Sequence, residues 1–174
     1  MSEIEHTETD EVTVRTYHAD DQEAVRYLYQ FGRLIGQVQP DDTTEDIEDI
    51  PGNYLEPDRG HFWVAEVNDK PVGTIGVRED APDVAEIRRL RVHPDYNGHD
   101  VTTRLMETAI AFCRRQGYLK VILDTRIERG PAMRLFERFA FQHTRTRSVA
   151  DKELLEFYLD LYHEPRDHRQ NDGE

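Results

Sequence analysis

The chain has 174 residues, with 36 acidic against 22 basic side chains and a formal net charge of −14. This length fits one domain with a sizeable core. The single cysteine, Cys113, excludes an internal disulfide and a cysteine-rich zinc site. No apolar run reaches the length of a membrane span, and the acidic N-terminus has no signal-peptide core. We therefore expect a cytoplasmic protein without membrane contact.

The basic residues are unusual, because nineteen are arginines and only three are lysines. An acidic chain that avoids lysine resembles the proteins of halophiles that keep molar salt in the cytoplasm, although a merely acidic mesophilic protein stays an alternative. Residues 78–147 carry a net charge of +4, whereas the rest of the chain carries −18. The basic part favours an anionic ligand, but the surrounding acidity argues against long-range attraction to nucleic acid.

The first third of the chain predicts a strand followed by two helices. Residues 12–17 alternate as in a strand, and the next segment has helical periodicity. Residues 41–55 predict a weaker helix that Pro51 and Gly52 interrupt. The first helix is expected to direct these residues toward the core: Ala24, Val25, Leu28, Phe31 and Leu34.

The middle of the chain predicts three strands in succession. Residues 62–67 and 71–77 flank an Asn-Asp-Lys turn, which is a strong hairpin signal. Residues 84–92 form the next predicted strand, which Pro94 ends. We expect these three strands to form an antiparallel meander.

The last part predicts two further helices and three strands. A helix over residues 101–116 has a continuous apolar face that includes Cys113, and Gly117 supplies a left-handed stop. Residues 119–124 form a strand parallel to the preceding one, and Gly130-Pro131 starts a helix. Residues 141–149 and 154–162 form a final hairpin, whereas residues 1–11 and 163–174 are expected to be flexible polar tails.

Two stretches resemble motifs of the GNAT superfamily of acyl-CoA N-acetyltransferases. Residues 86–106 resemble motif A, in which a strand leads through a phosphate-binding turn into a helix. Residues 121–141 resemble motif B. The resemblance covers residues 12–162 and implies the α/β GNAT fold, with a mixed, mostly antiparallel sheet flanked by helices in the order β-α-α-β-β-β-α-β-α-β-β.

The resemblance also implies a cofactor, acetyl-CoA, and the residues that hold it. By position, Leu90, Arg91 and Val92 would bind the pantetheine arm through their backbone. The pyrophosphate would bind to amides of the turn, which here comprises Asn97, Gly98, His99, Asp100, Val101, Thr102 and Thr103. The family usually has Gly where this chain has Asp100, and Gly or Ala where it has Thr102.

Asp100 allows two interpretations. A carboxylate about 6 Å from a phosphate charge costs roughly 3 kcal/mol at an effective dielectric constant near 20, and molar salt would screen most of this penalty. The simpler interpretation is that Asp100 is the N-cap of the following helix, which is worth about 1 kcal/mol. In that role its side chain would occupy the amides that a pyrophosphate needs.

For catalysis, the resemblance identifies Glu86 as the general base that deprotonates the amine, often through water. An ion pair with Arg88 is an equally weighted structural role for Glu86, and His93 is a weaker candidate base. The oxyanion donor would be a backbone amide of the bulged strand, which we assign to Val92. The family's thiolate-protonating tyrosine is replaced by Phe136, so Tyr96, Tyr118 and Tyr158 are the alternatives. We predict no metal site, because the histidines lack a ligand spacing.

The sequence thus predicts an enzyme that transfers an acetyl group from acetyl-CoA to a primary amine of a small molecule or protein. The replaced glycines and Phe136 leave a second hypothesis open, namely a non-catalytic GNAT-fold module that binds a partner or senses acyl-CoA. Family members are often dimers, but no apolar strip in this sequence identifies a homodimer interface.

Overall fold

The structure, a computed structural model, describes residues 11–35, 43–96, 100–125, 129–149 and 152–162. Apart from Glu11, the predicted tails lie outside these ranges. Within them the chain forms strands β1 (Val12–Thr16), β2 (Arg33–Ile35), β3 (His61–Val67), β4 (Lys70–Ala81), β5 (Val84–Val92), β6 (Lys120–Thr125), β7 (Gln142–Val149) and β8 (Lys152–Asp160). The α-helices are α1 (Gln22–Phe31), α2 (Glu45–Glu48), α3 (Val101–Arg115) and α4 (Arg129–Glu137).

The strands form one mixed sheet in the order β1-β3-β4-β5-β6-β8-β7, and β2 pairs with β5 off this path. Only the β5–β6 pair is parallel among the pairs of the described strands, and the helical crossover through α3 joins these two strands. The predicted meander, parallel strand and final hairpin are all confirmed. This is the predicted α/β fold with one added strand.

The added strand β2 corrects the prediction for the first helix. Residues 33–35 were expected to continue that helix, but α1 ends at Phe31 because Gly32 adopts an extended conformation with ψ 159°. Leu34 therefore lies in β2 opposite Arg91 rather than on a helix face. Phe31 is 54% exposed, so its expected burial is also wrong. A local apolar pattern could not reveal that the chain turns toward β5.

Two apolar cores lie on opposite faces of the sheet. One is packed beneath α3 and α4 and includes Leu90, Val92 and Phe136. The other is packed beneath α1 and the segment from α2 to a π-helical turn at Pro51–Leu55. Cys113 is fully buried in the first core and burial raises the pKa of its thiol to about 12, which confirms a packing role.

Helix α3 packs unusually close to the sheet at Gly73 of β4. A Cβ atom at Gly73 would lie 2.8 Å from Val101 Cγ1 and 2.9 Å from Leu105 Cδ1. Glycine at this position lets the first turn of α3 contact the strand directly. Gly117 has φ 75° and ends the helix region as predicted. None of the helices in the described ranges has the length and apolarity of a transmembrane span.

Candidate active site

A cleft opens where β5 and β6 separate. The two parallel strands pair only from Val84 to Glu86 of β5, opposite residues 120–122 of β6. Beyond Glu86, β5 continues to Val92 without β6 beside it. The separation leaves this edge of β5 without β6, and β2 pairs with it from Leu90 to Val92. It is the site at which the sequence-predicted base and pantetheine residues meet.

Glu86 lies at the inner end of this cleft. Its side chain is 15% exposed, and the Arg88 guanidinium donates a hydrogen bond to its Oε1 at 3.2 Å. Burial raises the pKa of Glu86 to about 7; Arg88 opposes the rise, and the carboxylates of Asp80 and Asp124 add to it. Glu86 is therefore ion-paired with Arg88 and has a pKa near 7. A carboxylate with a pKa in this range can serve as a general base at neutral pH.

A β-bulge lies in β5 directly after Arg88. Gly76 is opposite Arg88 and Thr74 is opposite Arg91, so two residues of β5, Arg89 and Leu90, face the single residue Ile75. Arg89 adopts a left-handed φ of 54°, a conformation that costs an L-residue roughly 1–2 kcal/mol. The bulge thus lies two to three residues before Val92, whose amide is the predicted oxyanion donor.

The bulge has side-chain partners on the α1 and α2 side of the sheet. Arg89 is 1% exposed and binds Asp46 of α2 through two nitrogens, with Nε–Oδ2 2.9 Å and Nη2–Oδ1 2.6 Å. Tyr54 also donates a hydrogen bond to Asp46. Burial alone would raise the pKa of Asp46, but the hydrogen bonds from Arg89 and Tyr54 bring it below its ordinary value. Asp46 is therefore an anion at neutral pH.

The three predicted pantetheine residues, Leu90, Arg91 and Val92, form the end of β5 and begin with the second residue of the bulge. One edge of this part pairs with β4, and the other edge pairs with β2, with Val92 opposite Arg33 and Leu90 opposite Ile35. The Leu90 and Val92 side chains are buried under α3, whereas the Arg91 guanidinium lies 5.2 Å from the Tyr29 ring of α1. An extended ligand would therefore use the backbone edge that β2 occupies.

The first turn of α3 presents its amides without a side-chain cap. Asp100 is exposed, has φ 44° and makes no capping hydrogen bond, so its predicted role as a side-chain N-cap is wrong. Its backbone instead takes the left-handed conformation that favours glycine, which explains the glycine that the family has here. Val101 is buried, so any contact with a ligand would be through its N–H group. Asn97, Gly98 and His99 lie outside the described residues.

Arg138, which the sequence analysis did not single out, lies near this helix end. Its guanidinium, in the turn that follows α4, donates to Thr103 Oγ1 of α3 at 3.4 Å. Arg134 is exposed on α4, and the side chain of Arg129 lies outside the described residues. Only the tertiary packing reveals that Arg138 adds positive charge beside Thr103.

The tyrosines differ in their access to the cleft. Phe136 is fully buried, with its ring 4.8 Å from that of Phe157. Tyr118 donates to the Arg59 carbonyl at 2.6 Å, near the opposite ends of β5 and β6. Tyr158 is aligned across the sheet with Ile122 and hence with Glu86, and it donates to Gln142 at 2.8 Å. Tyr158 is thus the one of these tyrosines that shares a sheet row with the candidate base.

A second carboxylate borders the cleft on β6. Asp124 is half-buried and lies opposite Glu156 of β8, and burial followed by the charge of Glu156 raises the pKa of Asp124. Glu156 itself is held by ion pairs with Arg145 and with Arg147. The open sheet face beyond Glu86 therefore combines carboxylates with arginines.

The histidines of the described ranges have structural partners. His93 Nδ1 accepts the Asp95 N–H at 3.1 Å, and the ring stacks against Tyr27, so His93 stabilises the turn after β5. His61 Nε2 lies 2.9 Å from Thr16 Oγ1 and its ring contacts Trp63. In the same ranges, no group of three or more His, Cys, Asp and Glu side chains is placed to hold a metal ion.

Comparison with known proteins agrees with this geometry. The sequence model of the Acetyltransferase (GNAT) family matches residues 13–141, about three quarters of the chain. The chain belongs to the acetyltransferase (GNAT) family. Strand β5, helix α3 and the parallel β5–β6 pair all lie within the matched residues.

Among relatives of this GNAT chain, the probable N-acetyltransferase camello of Xenopus tropicalis is 36% identical over 103 residues, which cover 58% of this chain and 47% of that protein. The chain thus spans about half the length of the curated relatives that it matches. An acetyltransferase of the GNAT family from Staphylococcus aureus has a TM-score of 0.71 at 20% identity, covering 87% of this chain and 99% of that one. The yncA protein of Salmonella typhimurium, solved with acetyl-CoA, has a TM-score of 0.70 at 18% identity, covering 89% and 96%.

Proposed function

We propose that the protein is an acetyl-CoA-dependent N-acetyltransferase that acts on a primary amine. The observation that carries the proposal is the position of Glu86, a carboxylate with a pKa near 7 at the inner end of the β5–β6 cleft. A primary amine with a pKa near 10 is mostly protonated at neutral pH, so it needs a base before it can attack an acyl group. The names of relatives such as camello support the same activity.

The cofactor site fits an acyl-CoA in two respects. The first amides of α3 have no side-chain cap from Asp100, and Arg138 adds positive charge beside Thr103, so a pyrophosphate would be held by Val101, Thr102 and Thr103. The backbone edge of Leu90 to Val92 matches an extended amide-bearing arm, which would replace β2 there. Acetyl-CoA would supply the acetyl thioester.

The residues of the chain would divide the remaining work. Glu86, directly or through water, takes the proton of the amine, and Arg88 keeps the carboxylate oriented. The Val92 amide, shortly after the bulge, would donate a hydrogen bond to the acetyl carbonyl as negative charge develops on its oxygen. Tyr158, on the sheet row of Glu86, is the candidate donor of a proton to the departing sulfur.

The test is release of CoA from acetyl-CoA in the presence of a panel of primary amines, in buffer with molar KCl as the acidic, lysine-poor composition suggests. We expect amine-dependent release and an acetylated amine detectable by mass spectrometry. Tight acetyl-CoA binding without turnover on any amine would instead support an acyl-CoA-sensing module. The replaced turn glycines and Phe136 are the observations that favour that alternative.

A further inference from the structure

Asp46 of α2 pairs with two arginines of β5, forming a hydrogen-bonded fork with Arg89 at the bulge and lying 3.8 Å from Arg88 Nη2. Asp46 and Arg89 are 5% and 1% exposed, and two hydrogen bonds join them in a fork. Arg89 also donates to the Thr43 carbonyl at 3.2 Å, so its side chain is attached to the segment that leads into α2. The pair therefore connects the bulge to α2, an element that is distant in sequence.

The backbone of the bulge needs such a connection. Arg89 is an L-residue with a positive φ, a conformation that persists only when surrounding contacts impose it. The Arg89 carbonyl accepts a hydrogen bond from Thr74 Oγ1 at 2.8 Å, which holds the β4 side of the bulge. The fork to Asp46 holds the side chain on the opposite face of the sheet from α3. Together these contacts leave the bulge a single orientation.

The bulge lies in β5 between the candidate base and the end of the cofactor edge, so its orientation affects the geometry of the site. The bulge follows Glu86 and Arg88 and includes Leu90, the first of the three residues that form the cofactor edge, so it joins the candidate base to that edge. A donor that is displaced by about 1 Å can lose on the order of a hundredfold in rate, even when binding persists. Contacts that fix the bulge therefore also fix the position of the Val92 amide relative to Glu86.

We propose that Asp46 is a positioning residue for the acetyl transfer, because its ion pair with Arg89 fixes the β5 bulge that sets the path of the strand between Glu86 and the Val92 amide, the predicted oxyanion donor. The proposal rests on the proposed acetyltransferase function. It assigns to Asp46 no contact with either substrate. A merely structural ion pair would stabilise the fold without setting the rate, and the two roles can be separated by experiment.

The experiment compares Asp46→Asn with Glu48→Gln, a matched control on the same helix. Glu48 is exposed and pairs with Arg26 of α1 at 2.6 Å, so its replacement also removes one ion pair of α2. We expect Asp46→Asn to lower kcat by about 10- to 100-fold with the KM for acetyl-CoA unchanged, because the lost alignment acts on the developing oxyanion. Glu48→Gln should keep the wild-type kcat.

A second variant addresses loss of stability. Asp46→Asn/Arg89→Gln removes both charges, so no unpaired charge stays buried and the melting temperature should recover relative to Asp46→Asn. We expect kcat to stay low in this double variant, because the fork that aligns the bulge is still missing. Recovery of kcat together with stability would overturn the positioning role.

Hydrogen exchange of the free protein gives a readout that needs no activity. In Asp46→Asn, amides of residues 84–92 should exchange faster than in wild type, whereas amides of β7 and β8 should be unaffected. Unchanged exchange in residues 84–92 would overturn the positioning role of Asp46 and leave the proposed acetyltransferase function untouched. Absence of turnover by wild type with any amine would overturn the proposed function, and with it the catalytic consequence of the bulge.

Discussion

Replacement of Glu86 by glutamine should make the protein more stable at alkaline pH while it removes the base. The pKa of Glu86 is raised from 4.5 to about 7 in the folded state. A raised carboxyl pKa means that the folded protein holds this proton more tightly than the unfolded chain does. Stability from Glu86 is therefore lost as pH rises from 4.5 through 7, and above pH 7 the ionised carboxylate destabilises the fold by about 3 kcal/mol.

The assay is urea unfolding of wild type and Glu86→Gln at pH 5 and pH 8.5, with the salt concentration held constant. Glutamine cannot ionise, so the free energy of unfolding of the variant should exceed that of wild type by about 2.5 kcal/mol more at pH 8.5 than at pH 5. Glu107→Gln, at an exposed position of α3, is the control and should show a difference independent of pH. A pH-independent difference for Glu86→Gln would refute the raised pKa.

Three further changes test the cofactor site. Asp100→Gly should tighten acetyl-CoA binding by up to about a hundredfold at low salt and far less at molar KCl, because it removes a negative charge that salt screens. Glycine also suits the φ of 44° at this position. Equal affinities of wild type and Asp100→Gly in calorimetry at both salt concentrations would contradict this. Arg33→Cys/Val92→Cys should bind acetyl-CoA only when reduced, because an oxidised bridge would lock β2 on the cofactor edge; binding to the oxidised form would show that this edge is not used. Phe136→Tyr should lower the free energy of unfolding by about 1–3 kcal/mol through a buried hydroxyl, without raising kcat; a higher kcat would place this ring near the sulfur.

Much of the fold followed from local patterns in the sequence. The apolar face of α3, the left-handed Gly117 and the turn between β3 and β4 each depend on residues within a few positions of one another. The parallel pairing of β5 with β6 followed from the helical crossover between them. Strand β2 could not be predicted, because its three residues are defined by pairing with β5 and not by their own periodicity.

The sequence predicted only those residues of the candidate site that occupy positions of the family motifs. Glu86 was found by resemblance, and an ion pair with Arg88 was the alternative role considered for it. In the structure Glu86 has both the ion pair with Arg88 and a pKa raised to about 7. Asp46 belongs to an acidic run around α2, yet it is buried against Arg89. Neither this pair nor the contact of Arg138 with Thr103 has a sequence signal, since tertiary packing alone joins the partners.

The most direct test of the account is the pH dependence of amine-stimulated CoA release by wild type and by Glu86→Gln, at saturating acetyl-CoA and in molar KCl. The account predicts that the wild-type rate rises with pH through about 7, as Glu86 loses its proton, and that Glu86→Gln is at least about a hundredfold slower without this limb. A Glu86→Gln variant with the rate and pH profile of wild type would contradict the assignment of Glu86 as the base.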